Sequence, residues 1–164
     1  MSTRGRAAGA AAALLLAAAV TAPVAAADPG RAQLATFNCA GSINVNVHPV
    51  NAAVDGKSGS GFRCATPGES FSAALTISGS VTSSGDLFYT TRTTDTLKRT
   101  DTGQTLAVFT IDRRFDRDTT AASGNATEHS TGGQGHDSGS GTFGTGTNLV
   151  TFLITNNYLL DINT

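Results

Sequence analysis

Apolar and polar residues alternate along several stretches of this 164-residue chain, and that pattern predicts β-strands. The segment 42–48 alternates strictly, with its apolar residues on one face and Asn44, Asn46 and His48 on the other. The segment 71–77 repeats the alternation. We therefore expect one face of each strand to pack into a core and the other to meet solvent.

Two later stretches predict strand pairs. The segments 87–98 and 104–113 are joined by the turn signal Asp101-Thr102-Gly103 and predict a hairpin. The apolar run 149–154 predicts a central strand, and Asn156-Asn157 predicts a tight turn after it, because Asn tolerates positive φ. Downstream of the leader discussed below, no window has helical periodicity.

The segment 118–147 differs from the rest because Gly, Ser and Thr dominate it and it contains a single aromatic residue. A structureless loop of that length is unusual inside a compact domain. We therefore expect partial strand character, over about 125–131 and 140–147.

Short strands at regular spacing with intervening turn signals predict a single all-β domain of about 7–8 strands. The fold class is then a small antiparallel β-barrel or a β-sandwich. A closed barrel would remove the exposed edges of a Thr-rich sheet. The alternation is the same in both architectures, so both remain open at this point.

The first 27 residues predict a cleavable signal peptide. Arg4 and Arg6 form a basic start, 7–20 is a small-apolar run, and three alanines at 25–27 precede a cleavage point. The apolar run is shorter than the ~20 residues that a membrane-spanning helix needs. We expect residues 28–164 to be secreted, with no membrane anchor after leader cleavage. The Ala- and Arg-rich leader is typical of a high-GC bacterium.

The chain has two cysteines, Cys39 and Cys64. In an exported protein such a pair predicts one intramolecular disulfide. The spacing lacks the C-x-x-C arrangement of redox-active pairs. Closing a loop of about 25 residues should stabilise the fold by roughly 3 kcal/mol.

The charge balance excludes one class of partner. Of the 11 Lys and Arg residues, Arg4 and Arg6 belong to the leader, which leaves 9 against 12 Asp and Glu and a net charge of −3. Nucleic-acid binders carry a clustered basic excess. We therefore expect no nucleic-acid partner.

The densest run of charges is 112–118, which reads Asp-Arg-Arg-Phe-Asp-Arg-Asp. On a strand, one face would carry Asp112, Arg114, Asp116 and Asp118, and the other Arg113, Phe115 and Arg117. A Ca²⁺ site and an anion clamp are the functional interpretations. Since Arg114 lies among the aspartates, we favour a solvated strand end whose alternating charges pair with each other.

The three histidines give a second candidate site. His48, His129 and His136, with Asp137, contain the ligand types that Zn²⁺ and Cu²⁺ prefer. The spacing between His129 and His136 matches no metal motif, and Gly-rich surroundings do not preorganise ligands. We expect surface histidines, with no metal and no cofactor.

No motif assigns a reaction. The chain has no G-x-S-x-G elbow or phosphate loop, and its two glutamates, Glu69 and Glu128, suggest no paired-carboxylate arrangement. The favoured hypothesis is therefore a non-catalytic binding protein that uses its loops or an interior cavity, with an unknown extracellular ligand or protein as partner.

Two alternatives remain. A secreted inhibitor or surface-interaction protein could present the segment 49–62 as a protruding loop stapled by the disulfide. A small extracellular enzyme would need Asp116, His129, His136 and Asp137 to converge in one cleft.

Overall fold

The computed structural model describes residues 34–163, and the predicted leader 1–27 lies outside the described residues. This part of the chain forms nine β-strands and no helix that could cross a membrane. In chain order the strands are β1 Leu34–His48, β2 Ala53–Ser58, β3 Arg63–Ala65, β4 Ser70–Gly85, β5 Phe88–Arg99, β6 Thr105–Arg117, β7 Ser123–Gly133, β8 Gly135–Gly146 and β9 Leu149–Asn163.

The strands form a closed antiparallel barrel. From β3 to β9 each strand pairs with the next one along the chain, and β9 pairs with β1 from Leu34↔Asn163 to Val47↔Val150, which closes the sheet. The short strands β2 and β3 lie in line between β1 and β4, so nine strands occupy eight positions. The predicted all-β fold is confirmed as a barrel.

The alternation places the side chains as predicted. Ile43, Val45 and Val47 are buried inside the barrel, while Asn44, Asn46 and His48 are half-buried on its outer surface. An eight-position barrel has a lumen that side chains just fill. Here inward-facing residues of all eight positions contribute to one core.

The hairpin prediction is confirmed as β5 and β6, which pair from Phe88↔Asp116 to Lys98↔Thr105. The polar segment 118–147 is largely strand, since β7 and β8 pair from Ser123↔Gly144 to His129↔Ser138. Its glycines allow neighbouring strands to approach closely, since a Cβ added at Gly139 would lie only 2.5 Å from the carbonyl oxygen of Thr155.

The predicted turn at Asn156-Asn157 is wrong. Strand β9 runs through both residues, with Asn156 buried inside the barrel and Asn157 exposed outside. Pairing with β8 and β1 on both sides satisfies the backbone there, and this outweighs the tendency of Asn to form turns.

The segment 49–62 does not protrude as a stapled loop. Its middle is β2, which is part of the barrel wall, and Phe62 at its end is fully buried in the core. Phe62 packs directly on Gly41 of β1. A Cβ added at Gly41 would lie 2.8 Å from the Cα of Phe62. The predicted disulfide is confirmed, and it joins Cys39 and Cys64 as paired residues of β1 and β3.

The lumen has two unlike sides. On the apolar side, which β1, β2 and β4 form, the buried inward residues are hydrophobic, as Val45, Val54 and Leu75 illustrate. On the polar side, which β5 to β9 form, they include Thr91, Thr93, Asp95, Arg113, Glu128, Asp137, Asn156 and Tyr158.

Candidate functional site: a sealed charge cluster and an outer groove

Four ionisable side chains meet on the polar side of the lumen. This charge cluster consists of Asp95 on β5, Arg113 on β6, Glu128 on β7 and Asp137 on β8. All four side chains are fully buried. The alternation explains their position, because Arg113 shares its strand face with the core residues Ile111 and Phe115.

Arg113 is the centre of the charge cluster. Its Nη2 donates to Asp95 Oδ2 at 2.7 Å, and its Nε donates to Asp137 Oδ2 at 2.7 Å. Its Nη1 donates to the hydroxyl of Thr93 at 2.9 Å. Burial acts to lower the pKa of Arg113, but the carboxylates of Asp95 and Asp137 outweigh it and raise the pKa. The guanidinium therefore stays charged inside the barrel.

Glu128 is placed less favourably. Its Oε1 lies 3.3 Å from Arg113 Nε but accepts no hydrogen bond from any residue that the structure describes, because that N–H is directed at Asp137. Burial, and then the negative charge of Asp137, raise the pKa of Glu128 to about 9. At neutral pH Glu128 is therefore a neutral acid.

Other buried polar atoms on the polar side of the lumen have no hydrogen-bond partner among the described residues. They are Thr91 Oγ1, Asp137 Oδ1, both side-chain amide atoms of Asn156 and the Tyr158 hydroxyl. Burial raises the pKa of Tyr158, so its hydroxyl keeps its proton. Neutral acids and hydroxyls of this kind can donate hydrogen bonds to a developing negative charge.

The charge cluster has no access to solvent in this structure. The aromatic rings of Phe115 and Phe152, 4.8 Å apart, are both fully buried in the same lumen. Asp137 has a side-chain exposure of 0%. A substrate could not touch these groups without opening the wall.

The four residues of the enzyme hypothesis do not converge in one cleft. Asp137 faces the lumen, whereas Asp116, His129 and His136 are on the outer surface. Among the described residues, no group of three or more His, Cys, Asp or Glu side chains could hold a metal ion. His48 instead lies 2.6 Å from Asp55, with its Nε2 facing Oδ2.

The charge run 112–118 divides between the two faces as predicted. Outside, Asp112 pairs with Arg92 at 2.8 Å, and Arg114 pairs with Asp116. The interpretation as a solvated strand end is wrong for Arg113, which is in the core. Arg113 is two residues from Phe115 and so shares its face of the strand, which was the sequence feature that could have placed Arg113 inside. In the same way Asp95 shares a face with Leu97, and Glu128 with Ala126.

A concavity lies on the outer surface, across β8, β9, β1 and β3. This outer groove has a volume of about 550 Å³. Strand pairing arranges its outward side chains in two rows across the strands. One row is Ser70, Ala65, Asn38, Leu159 and His136, and the other is Arg63, Ala40, Asn157 and Ser138.

The outer groove presents amides, hydroxyls and two basic groups. Asp137 also contacts it, but its carboxylate faces the lumen, so no acidic side chain is presented. Arg63 is exposed, and its one hydrogen bond found in the described structure is to Ser72 Oγ at 3.4 Å. With strands about 4.8 Å apart, the row from Arg63 to Ser138 spans about 14 Å. The disulfide of Cys39 and Cys64 fixes the wall at one end of the rows.

Comparison with known proteins finds no protein-family model, no curated protein and no solved structure that matches this chain.

Proposed function

We propose that the protein is an exported, non-catalytic binding protein whose ligand site is the outer groove. The proposal rests on the division of polar side chains between the lumen and the outer groove. The reactive ones are sealed in the lumen, whereas the outer groove presents amides, hydroxyls and a cation, Arg63, that has no carboxylate partner among the described residues. Such an arrangement suits recognition rather than chemistry.

The ligand that fits is an elongated, hydroxyl-rich, anionic polymer, of which an acidic polysaccharide is the type. Asn38, Asn157 and the serines can both donate to and accept from hydroxyl groups. Arg63 and His136 stand near opposite ends and suit negative charge. The chain outside the leader has a net charge of −3, so the basic groove is a local exception.

A peptide ligand suits the surface less well. Peptides that bind sheets commonly add a strand to a free edge. Every strand in the described part of the barrel already pairs on both sides. Tyr158, the Tyr that lines the outer groove, is buried with its side chain toward the lumen and so offers no ring that could anchor a peptide.

Affinity electrophoresis tests the proposal with three soluble polymers. Polygalacturonate is anionic and rich in hydroxyls, dextran is neutral, and polyglutamate is anionic without hydroxyls. We expect polygalacturonate to retard the protein most. Arg63→Ala should weaken that binding by roughly tenfold, the scale of one charged hydrogen bond. Ala40→Trp, which fills the middle of the groove, should abolish it.

Two matched variants on the outer surface away from the groove serve as controls. Arg92→Ala removes an outer arginine, and Ala74→Trp adds the same bulk on β4. Both should bind polygalacturonate as the unmodified protein does. Equal retardation of the Ala40→Trp and Ala74→Trp variants would exclude the outer groove as the site. Retardation by none of the polymers would exclude this ligand class.

A further inference from the structure

Two carboxyl groups lie side by side inside the barrel, and neither has enough donors. Glu128 Oε1 and Asp137 Oδ2 lie 3.3 Å and 2.7 Å from the same Nε of Arg113. Both oxygens of Glu128 and Oδ1 of Asp137 lack a hydrogen-bond partner among the described residues. Two ionised carboxylates only accept hydrogen bonds, so they cannot bond to each other.

We propose that Glu128 and Asp137 share one proton, which makes the interior of the barrel a proton-binding site. With that proton, the Glu128 hydroxyl donates to Asp137 Oδ1. Oδ2 of Asp137 remains free to accept from Arg113 Nε, as it does at 2.7 Å. One proton thus converts an acceptor–acceptor contact between two buried oxygens into a hydrogen bond.

The proton resides on Glu128 rather than on Asp137. Asp137 already accepts a charged hydrogen bond from Arg113, which favours its ionised form. Glu128 lies 3.3 Å from the same Nε without a hydrogen bond, so ionisation would leave its charge with poorer compensation.

The charges that face Glu128 from the other strands support this assignment. Asp95 on β5 and Asp137 on β8 disfavour a third negative charge, Arg113 on β6 favours one, and Tyr158 on β9 is uncharged. One guanidinium against three ionised carboxylates would leave two excess negative charges. With the shared proton a single excess charge remains. Burial then makes each further charge costly, in keeping with the pKa of Glu128 near 9.

The site makes the barrel sensitive to base. When the proton leaves, Glu128 and Asp137 become like charges in contact in a lumen closed to solvent. The wall must then open or admit water to screen them. The lumen therefore keeps its arrangement at neutral pH and changes as the pH passes about 9, whereas the free energy of unfolding already falls between pH 4.5 and 9.

Carboxyl ¹³C NMR tests the proposal directly, because the chain has two glutamates. With glutamate labelled at its side-chain carboxyl carbon, the protein gives two resonances. Glu69 is exposed, and its hydrogen bond from Arg99 lowers its pKa, so it is an internal control that titrates in acid. The Glu69→Gln variant identifies its resonance without disturbing the core.

We expect the second resonance to have the shift of a protonated acid at pH 7 and to move only near pH 9. An ionised shift at pH 7 for both resonances would overturn the proposal. Asp137→Asn should lower the titration midpoint of Glu128 by at least about one pH unit, because it removes the adjacent negative charge. If the titration midpoint of Glu128 is unchanged in a folded Asp137→Asn variant, the proposal that Glu128 and Asp137 share a proton is wrong. If that variant does not fold, the resonance of Glu128 in the unmodified protein at pH 7 still shows whether Glu128 is protonated.

Discussion

The two sides of the lumen solve the same packing problem by different means. On the apolar side, residues such as Leu75 and Ile77 fill space without any requirement for a partner. On the polar side, Arg113 and three carboxyl groups fill space only if their hydrogen bonds and charges balance. The difference teaches that an apolar core tolerates small errors of geometry, whereas a buried polar network specifies one arrangement and depends on every member.

The largest effect should come from removing the centre of the polar side. Arg113→Leu keeps most of the volume but leaves Asp95 and Asp137 buried without their cation. Breaking a buried ion pair in this way costs about 3–5 kcal/mol. Denaturant unfolding at pH 7 measures the loss. Arg92→Leu removes an exposed arginine on the neighbouring strand and should change the midpoint little; an equal loss in both variants would contradict the central role of Arg113.

On the apolar side, Leu75→Ala should lower the free energy of unfolding by about 2–5 kcal/mol, because it leaves a cavity. No ionisable group is removed, so the loss should be the same at pH 6 and at pH 8. Urea titrations at both values measure it. A loss that changed with pH would mean that the two sides are not independent.

The pH dependence of stability should come from Glu128. The folded state keeps a proton that the unfolded chain, with its ordinary glutamate pKa of 4.5, releases. Stability therefore falls as pH rises from about 4.5 to 9, by up to about 1.4 kcal/mol per pH unit. Glu128→Gln, whose amide can donate to Asp137 as the acid does, should remove most of this slope. As a control, Glu69→Gln should leave the slope of stability against pH unchanged between pH 6 and 9. If Glu128→Gln does not affect that slope, the slope comes from another group.

The smallest changes in stability should come from two threonines on β5, and the two should differ from each other. Thr93 donates to Asp95 at 2.7 Å and accepts from Arg113, so Thr93→Val should cost about 1–3 kcal/mol. The hydroxyl of Thr91 is buried and has no hydrogen-bond partner within residues 34–163, so Thr91→Val should be neutral or stabilising. Thermal and urea midpoints of the two variants make the comparison. A destabilised Thr91→Val variant would show that its hydroxyl has a partner, such as a buried water molecule.

The same contrast explains what could be predicted from the sequence. Alternation identified β1 and β4 of the apolar side, because there hydrophobic residues mark the inner face. The hairpin of β5 and β6 was predicted from the turn signal between two strand-like segments, although the inner positions of β5 include Thr91, Thr93 and Asp95. On the polar side, charged residues occupy inner positions, so the usual assignment of charge to the outside failed for Arg113. Parity with Phe115 placed it on the inner face, but only the closed barrel shows that Asp95, Glu128 and Asp137 face it from three other strands.

The outer groove was beyond sequence analysis for a different reason. Its rows combine residues from both ends of the described chain, since Asn38 on β1 faces Leu159 on β9. No local pattern encodes which strands become neighbours when a sheet closes. Asn157 was interpreted as part of a turn for the same reason, because its pairing partners on β1 and β8 were unknown.

The seam between β1 and β9 has a consequence for how the molecule forms. Its 14 paired positions join residues more than 100 apart in sequence. Contacts of such long range form late, because the entropy of closing the loop must be overcome first. One edge of strand β1 must therefore stay open until β9 is in place. Until then, the disulfide between Cys39 and Cys64 links β1 to its neighbour β3. This link limits the freedom of β1 to pair with another molecule.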